Sequence, residues 1–127
     1  MKIEGVCKDV LEKTEWVAIV TWNGNIPHLA ATWGDYVRNM GVIDGEIIII
    51  PAGHYHKTEE NLGKNKNLQL LIASRQVKGN YGPGQGCVIH GKGEIQTKGE
   101  FAKRAKDKFS WARGALVVKI KDIEVQL

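Results

Sequence analysis

The sequence is poor in cysteine: Cys7 and Cys87 are the only two, they lie far apart, and neither belongs to a C-x-x-C pair. That excludes a disulfide-rich secreted scaffold and a cysteine-based zinc site. A single Cys7–Cys87 bridge is possible, but a chain of 127 residues can bury a core without one, so reduced thiols are expected. No long apolar run occurs either. The longest, Ile47–Ala52, is far too short to span a bilayer, and the first fifteen residues mix charges with no apolar leader segment. The expectation is a cytoplasmic protein without a membrane partner. There is no internal repeat and no linker, so residues 1–127 are read as a single domain.

Hydrophobic residues make up 43% of the chain and charged residues 25%, ordinary for a globular fold and too apolar for a disordered one. The charge is unevenly placed. Residues 1–63 carry 5 basic and 9 acidic side chains, residues 64–127 carry 13 and 5. Such a basic second half calls for an anion: nucleic acid, membrane or a phosphorylated ligand.

Val6, Val10 and Leu11 share one face of a predicted N-terminal helix. Trp16–Trp22 reads as a buried strand with Trp16 and Trp22 in the core, closed by a hairpin signal at Asn23-Gly24. His28–Trp33 and Tyr36–Ile43 read as strands, Asp44-Gly45 as a turn, and Glu46–Pro51 as a strand apolar on both faces. A helix is predicted from Thr58, a strand over Leu68–Ala73, a glycine-rich loop over Gly79–Gly86 and a long strand over Cys87–Thr97 with a bulge near Gly91 and Gly93. Glu100–Trp111 reads as a basic helix with Phe101, Ala105, Phe109 and Ala112 on its buried side. The final strand changes phase between Ile120 and Ile123, which calls for a turn or bulge at Lys121-Asp122. Six or seven strands with two or three short helices make a small antiparallel β-barrel that hides its edges.

Three groups of residues suggest chemistry. Lys57-Thr58 at a helix start combines an ammonium, a hydroxyl and free backbone N–H groups, a small phosphate site, although an N-cap threonine beside a solvated lysine is the commoner reading. Ser74-Arg75 and Lys78 lead into the glycine-rich loop, where the arginine could hold a phosphate or, equally, stand as a solvated charge at a strand end, and the glycines allow close backbone approach to a ligand. That loop spells neither a dinucleotide fingerprint nor a Walker motif. Trp33, Tyr36 and Trp111 could sandwich a planar ring, with core packing the commoner role for such side chains. His54 and His56 have the spacing of a ligand pair, but no Asp or Cys cluster in the sequence completes a set with them or with His28 and His90, so no metal is expected. No Ser/His/Asp arrangement can be assembled.

The runs Pro27–Trp33 (PHLAATW), His56–Asn61 (HKTEEN), Ser74–Gly86 (SRQVKGNYGPGQG) and Trp111–Leu116 (WARGAL) together resemble the small FMN-binding proteins of the pyridoxamine 5′-phosphate oxidase-like split-barrel family. The resemblance covers nearly the whole chain. It implies an FMN-binding split barrel, usually a homodimer, with FMN near the subunit interface. Carried over residue by residue, Ala31, Thr32, Trp33 and Tyr36 would border the flavin, with Ala31 offering backbone groups only. Lys57 and Thr58 would hold the phosphate, with Pro51, Gly53 and His56 shaping the approach. Arg75, Gly79, Pro83 and Gly84 would line the glycine-rich side, Trp111 would close over the ring, and Leu127 would shield its edge. The substrate-phosphate arginines and histidines of the longer oxidases are missing.

The resemblance thus implies redox chemistry on FMN, by electron transfer with a partner protein or by reduction and oxidation of a small substrate, with a nicotinamide as a further candidate donor. Whether the protein is an FMN-dependent oxidoreductase or a non-enzymatic carrier stays open, and no catalytic residue stands out. Two alternatives remain: a nucleic-acid-binding β-barrel, and a split barrel holding another cofactor such as haem. The first is disfavoured, because Glu59 and Glu60 follow Lys57-Thr58 directly and would repel a polyanion.

Overall fold

The computed structural model describes residues 1–127. Its elements are α1 (Gly5–Lys13), β1 (Trp16–Asn23), β2 (Ile26–Trp33), α2 (Gly34–Met40), β3 (Val42–Ile43), β4 (Ile47–Ala52), α3 (His56–Lys64), β5 (Asn67–Lys78), β6 (Pro83–Gln96), α4 (Glu100–Lys108) and β7 (Gly114–Val125). The seven strands form one antiparallel sheet in the order β2-β1-β5-β6-β7-β4-β3. The fold is mainly β, a split barrel. Its edges are not all hidden, because β2 and β3 each lack a partner on one side, and α2 packs on both β2 and β4 across the opening. Four helices accompany it, rather than two or three. None is long and apolar enough to cross a membrane.

Strand periodicity builds the core. Val17 and Ile19 of β1, Leu68, Leu70 and Ile72 of β5, Ile89 of β6 and Leu116, Val118 and Ile120 of β7 all point inward and are at most 1% exposed. The doubly apolar β4 serves two layers, as its sequence suggests. Ile48 and Ile50 enter the main core, while Ile49 packs with Met40, Ala105, Ala112 and Ala115 beneath α4. The extra residue expected near Lys121-Asp122 is present: Gly91 pairs with Ile120 but His90 pairs with Asp122, so Lys121 is the bulge.

Several sequence expectations are corrected. Of Tyr36–Ile43 only Val42–Ile43 is strand. Gly34–Met40 is helical because Val37 and Met40, three apart, bury together, and Gly41 at φ 80° ends the turn. Trp16 is 47% exposed and Trp22 half-buried, because Val17, Ile19 and Thr21 take the inward positions of β1. The hairpin turn is Gly24-Asn25, one residue later than Asn23-Gly24, with Gly24 at φ 59°. β6 begins at Pro83, so the glycine-rich loop is shorter than Gly79–Gly86, and α4 stops at Lys108 instead of reaching Trp111. Finally, Cys7 and Cys87 are not free thiols. Packing α1 against β5 and β6 brings their Cα atoms to 6.0 Å in the core, and they form a disulfide.

Candidate cofactor-binding site

A cavity of about 520 Å³ opens at one end of the β1–β2 hairpin, lined by Glu15, Trp16, Ala31, Thr32, Trp33, Tyr36, Tyr55 and Trp111. Its size suits a small-molecule ligand. The β1–β2 register places Trp16 directly opposite Trp33, and α2 begins straight after Trp33, which turns Tyr36 back toward the same space. Tyr36 stacks at a tilt on Phe109 and Trp111, with ring centroids 4.9 and 5.5 Å away. Trp16, Trp33 and Trp111 nevertheless remain 47–53% exposed. Three half-exposed indoles around one concavity are apolar surface that a planar ligand or a second protein surface would cover.

Glycine makes two of these close approaches possible. A Cβ on Gly34 would run into the Thr14 carbonyl, so the turn from Trp33 into α2 can sit against the end of α1 only as glycine. A Cβ on Gly53 would lie 2.9 Å from Cε3 of Trp111, so Gly53 is the floor on which that indole rests.

Tyr55 joins the cavity to α3. It holds the N-cap position in the left-handed conformation, φ 57°, costly for a residue with a side chain, and its hydroxyl donates to the Ala31 carbonyl at 2.7 Å. Ala31 lies on the free edge of β2. In an antiparallel strand both backbone groups of a residue leave on the same side, so the Ala31 N–H faces that edge too. Burial pushes the Tyr55 phenol above its ordinary value of 10.0, against a smaller opposing effect of Thr32. The folded state thus favours the neutral phenol. Its contribution is complete below the unfolded pKa and is lost as pH rises past about 10 through the folded value. Thermal unfolding followed from pH 9 to 11 is expected to show a fall in wild type that Tyr55→Phe flattens; parallel curves would mean that the phenol is unshifted.

Beyond Tyr55, the N–H groups of His56, Lys57 and Thr58 have no acceptor within α3. Thr58 lies in the first turn rather than at the cap, and its hydroxyl is buried without a hydrogen-bond partner. Lys57 is half-exposed, 3.7 Å from Glu60. The approach to α3 is clamped by Arg113, whose Nε donates to the Gly53 carbonyl at 2.8 Å and whose Nη2 donates to the His54 carbonyl at 2.7 Å and to Glu59 at 2.9 Å. That pair draws the Glu59 charge toward Arg113. The helix end is left positive.

The fold therefore brings Ala31, Thr32, Trp33, Tyr36 and Trp111 to one cavity, with Gly53 behind Trp111 and His56, Lys57 and Thr58 next in the chain to its wall at Tyr55. Pro51 is buried in β4, paired with Ala115. Arg75, Gly79, Pro83, Gly84 and Leu127 do not line this cavity. They gather where the β5–β6 hairpin meets the C-terminal residue: Gly79 N–H bonds Gly82, Gly84 lies against Arg75, and Leu127 is held by Asn80 and Gln85. Sequence reasoning missed Glu15, Trp16, Tyr55 and Arg113. Trp16 was recoverable from a hairpin closed at Gly24-Asn25, whereas nothing local marks Tyr55 or Arg113.

The chain is 38% identical over 126 residues to the FMN-binding protein of Nitratidesulfovibrio vulgaris (strain Miyazaki F), covering 98% of this chain and 99% of that protein. No protein-family model matches it. Among solved structures, HupZ of Group A Streptococcus superposes with a TM-score of 0.75 at 18% identity, over 97% of this chain and 93% of that one. An FMN-binding protein of Syntrophomonas wolfei superposes at 0.64 with 17% identity, over 94% and 88%. These two likenesses establish the fold.

Proposed function

The chain belongs to the FMN-binding proteins of the pyridoxamine 5′-phosphate oxidase-like split-barrel family, and on that premise we propose that it holds FMN in the tryptophan-lined cavity and uses it for redox chemistry. The observation that carries this reading is the junction at Tyr55, where an aromatic cavity meets a helix N-terminus bearing Lys57 and Thr58. The two halves match the two halves of FMN, a planar ring and a phosphate. The residues fit the group: Thr58 has a buried hydroxyl lacking a partner, and the Ala31 N–H faces the open edge. Bound FMN supplies the electron-accepting and electron-donating chemistry; the chain supplies binding, orientation and exclusion of water.

Each residue then has a role. Trp16, Trp33, Tyr36 and Trp111 bury the ring, Ala31 offers it a backbone donor, and Tyr55 fixes that donor by holding the neighbouring carbonyl. Lys57 supplies charge to the phosphate, Thr58 a hydroxyl, and Arg113 keeps Glu59 from opposing them. Besides Tyr36 and Tyr55, the only ionisable side chain in the cavity wall is Glu15, so no acid–base pair is assembled there. That favours electron transfer, with a partner protein or a nicotinamide as donor, over a dedicated oxidase.

The reading includes a homodimer. The outward face of β2, β1 and β5 exposes Leu29 at 71%, Trp33 at 53%, Trp16 at 47% and Leu71 at 37%, a contiguous apolar surface beside the cavity. A second copy covering it would also bring residues such as Arg75, Gly84 and Leu127 within reach of the partner's flavin. Sedimentation is expected to show a dimer, and Leu71→Lys a monomer with weakened FMN binding. A wild-type monomer that binds FMN at full affinity would overturn the shared site.

A further inference from the structure

Away from the cofactor cavity, the geometry points to a divalent transition-metal site formed by His90 of β6 with Asp122 and Glu124 of β7. Sequence reasoning expected no such set, because His90 and the two carboxylates lie more than thirty residues apart and only the strand pairing joins them. The bulge at Lys121 is what assembles it. Before the bulge Gly91 pairs with Ile120; beyond it His90 pairs with Asp122, and Val88 with Glu124. Without the extra residue Lys121 would stand opposite His90 and put an ammonium where the carboxylate now lies. With it, Asp122 stands opposite the imidazole and Glu124, two residues on, shares its face.

The donor atoms are close to a binding geometry. One atom from each side chain lies within 4.8 Å of the others, and His90 Nε2 is already 3.2 Å from a Glu124 oxygen. Ligands at about 2.1 Å around a tetrahedral ion stand about 3.4 Å apart, a distance that side-chain rotation alone can reach. His90 is half-buried in the β-ladder, which fixes its direction, while both carboxylates are exposed and free to turn. One imidazole with two carboxylates suits zinc, cobalt or nickel better than magnesium or calcium, which prefer oxygen alone. Three protein ligands leave a position open for water or an added ligand. The adjoining groove, lined by Trp22, Asn65, Asn67, Gln69 and Lys121, gives access and places an indole near the ion.

The inference does not rest on the FMN reading, and its three ligand residues lie outside the cofactor cavity. The purified 127-residue chain is titrated with Co2+, read by ligand-field absorption and tryptophan fluorescence, with Zn2+ as competitor. One equivalent per chain is expected. His90→Gln should weaken binding at least about tenfold, Glu124→Gln and Asp122→Asn should each weaken it, and a His54→Gln/His56→Gln double variant should leave it unchanged. Zn2+ should raise the melting temperature of wild type but not of His90→Gln. Absence of saturable Co2+ binding, or binding that survives His90→Gln and is lost in the His54/His56 variant, would overturn the assignment.

Discussion

Removing the Cys7–Cys87 link is expected to cost the fold about 4 kcal/mol, because the bridge closes a loop of 80 residues and thereby removes much of the entropy of the unfolded chain. The corresponding drop in melting temperature is on the order of 15 °C for a chain of this size. The bridge ties α1 to β6, and the end of α1 leads directly into Glu15 and Trp16, two walls of the cofactor cavity. Arg38 reinforces that end by donating to the Leu11 and Thr14 carbonyls at 3.1 and 2.8 Å. Reduction should therefore loosen the cavity as well as the core. Urea unfolding of oxidised protein, reduced protein and the Cys7→Ala/Cys87→Ala variant measures the effect. Equal stabilities, together with two titratable thiols in the unreduced protein, would show that the bridge does not form in solution.

Lys57→Ala is expected to weaken FMN binding about 10- to 100-fold, the value of a hydrogen bond to a charged group, and to leave riboflavin binding nearly unchanged. The contrast isolates the phosphate, since the two ligands share the ring. Lys57 is suited to the role because its ammonium is half-exposed and contacts only Glu60, at 3.7 Å, so a phosphate displaces little. Thr58→Ala tests the neighbouring hydroxyl by the same pair of titrations. Equal losses for FMN and riboflavin would place the phosphate elsewhere.

Much of the barrel was legible because a strand states its own period: β1, β4, β5 and β7 follow directly from runs such as WVAIVTW and EIIIIP. Even the bulge in β7 showed as a change of phase between Ile120 and Ile123. Misreadings arose where a residue's environment is set by distant chain. Trp16 looks like core, but Val17, Ile19 and Thr21 take the inward positions of β1 and leave it on the outer face, where the turn at Gly24-Asn25 sets it opposite Trp33. Gly34–Met40 contains aromatic and β-branched residues that suit a strand, yet its burial against β4 and α1 selects a helix. Tyr55 and Arg113 are silent in sequence, since their roles depend on the carbonyls of Ala31, Gly53 and His54 that the fold brings to them. The family motifs, by contrast, marked the cavity residues Ala31, Thr32, Trp33, Tyr36 and Trp111 together, which no single-residue argument could do.

The most direct measurement is the flavin content of the protein as isolated. Purified without added cofactor and denatured, the yellow protein is expected to release FMN, identified by chromatography against riboflavin and FAD, in a ratio approaching one per chain. A colourless protein whose tryptophan fluorescence does not change when FMN is added would contradict the assignment of the cavity to FMN.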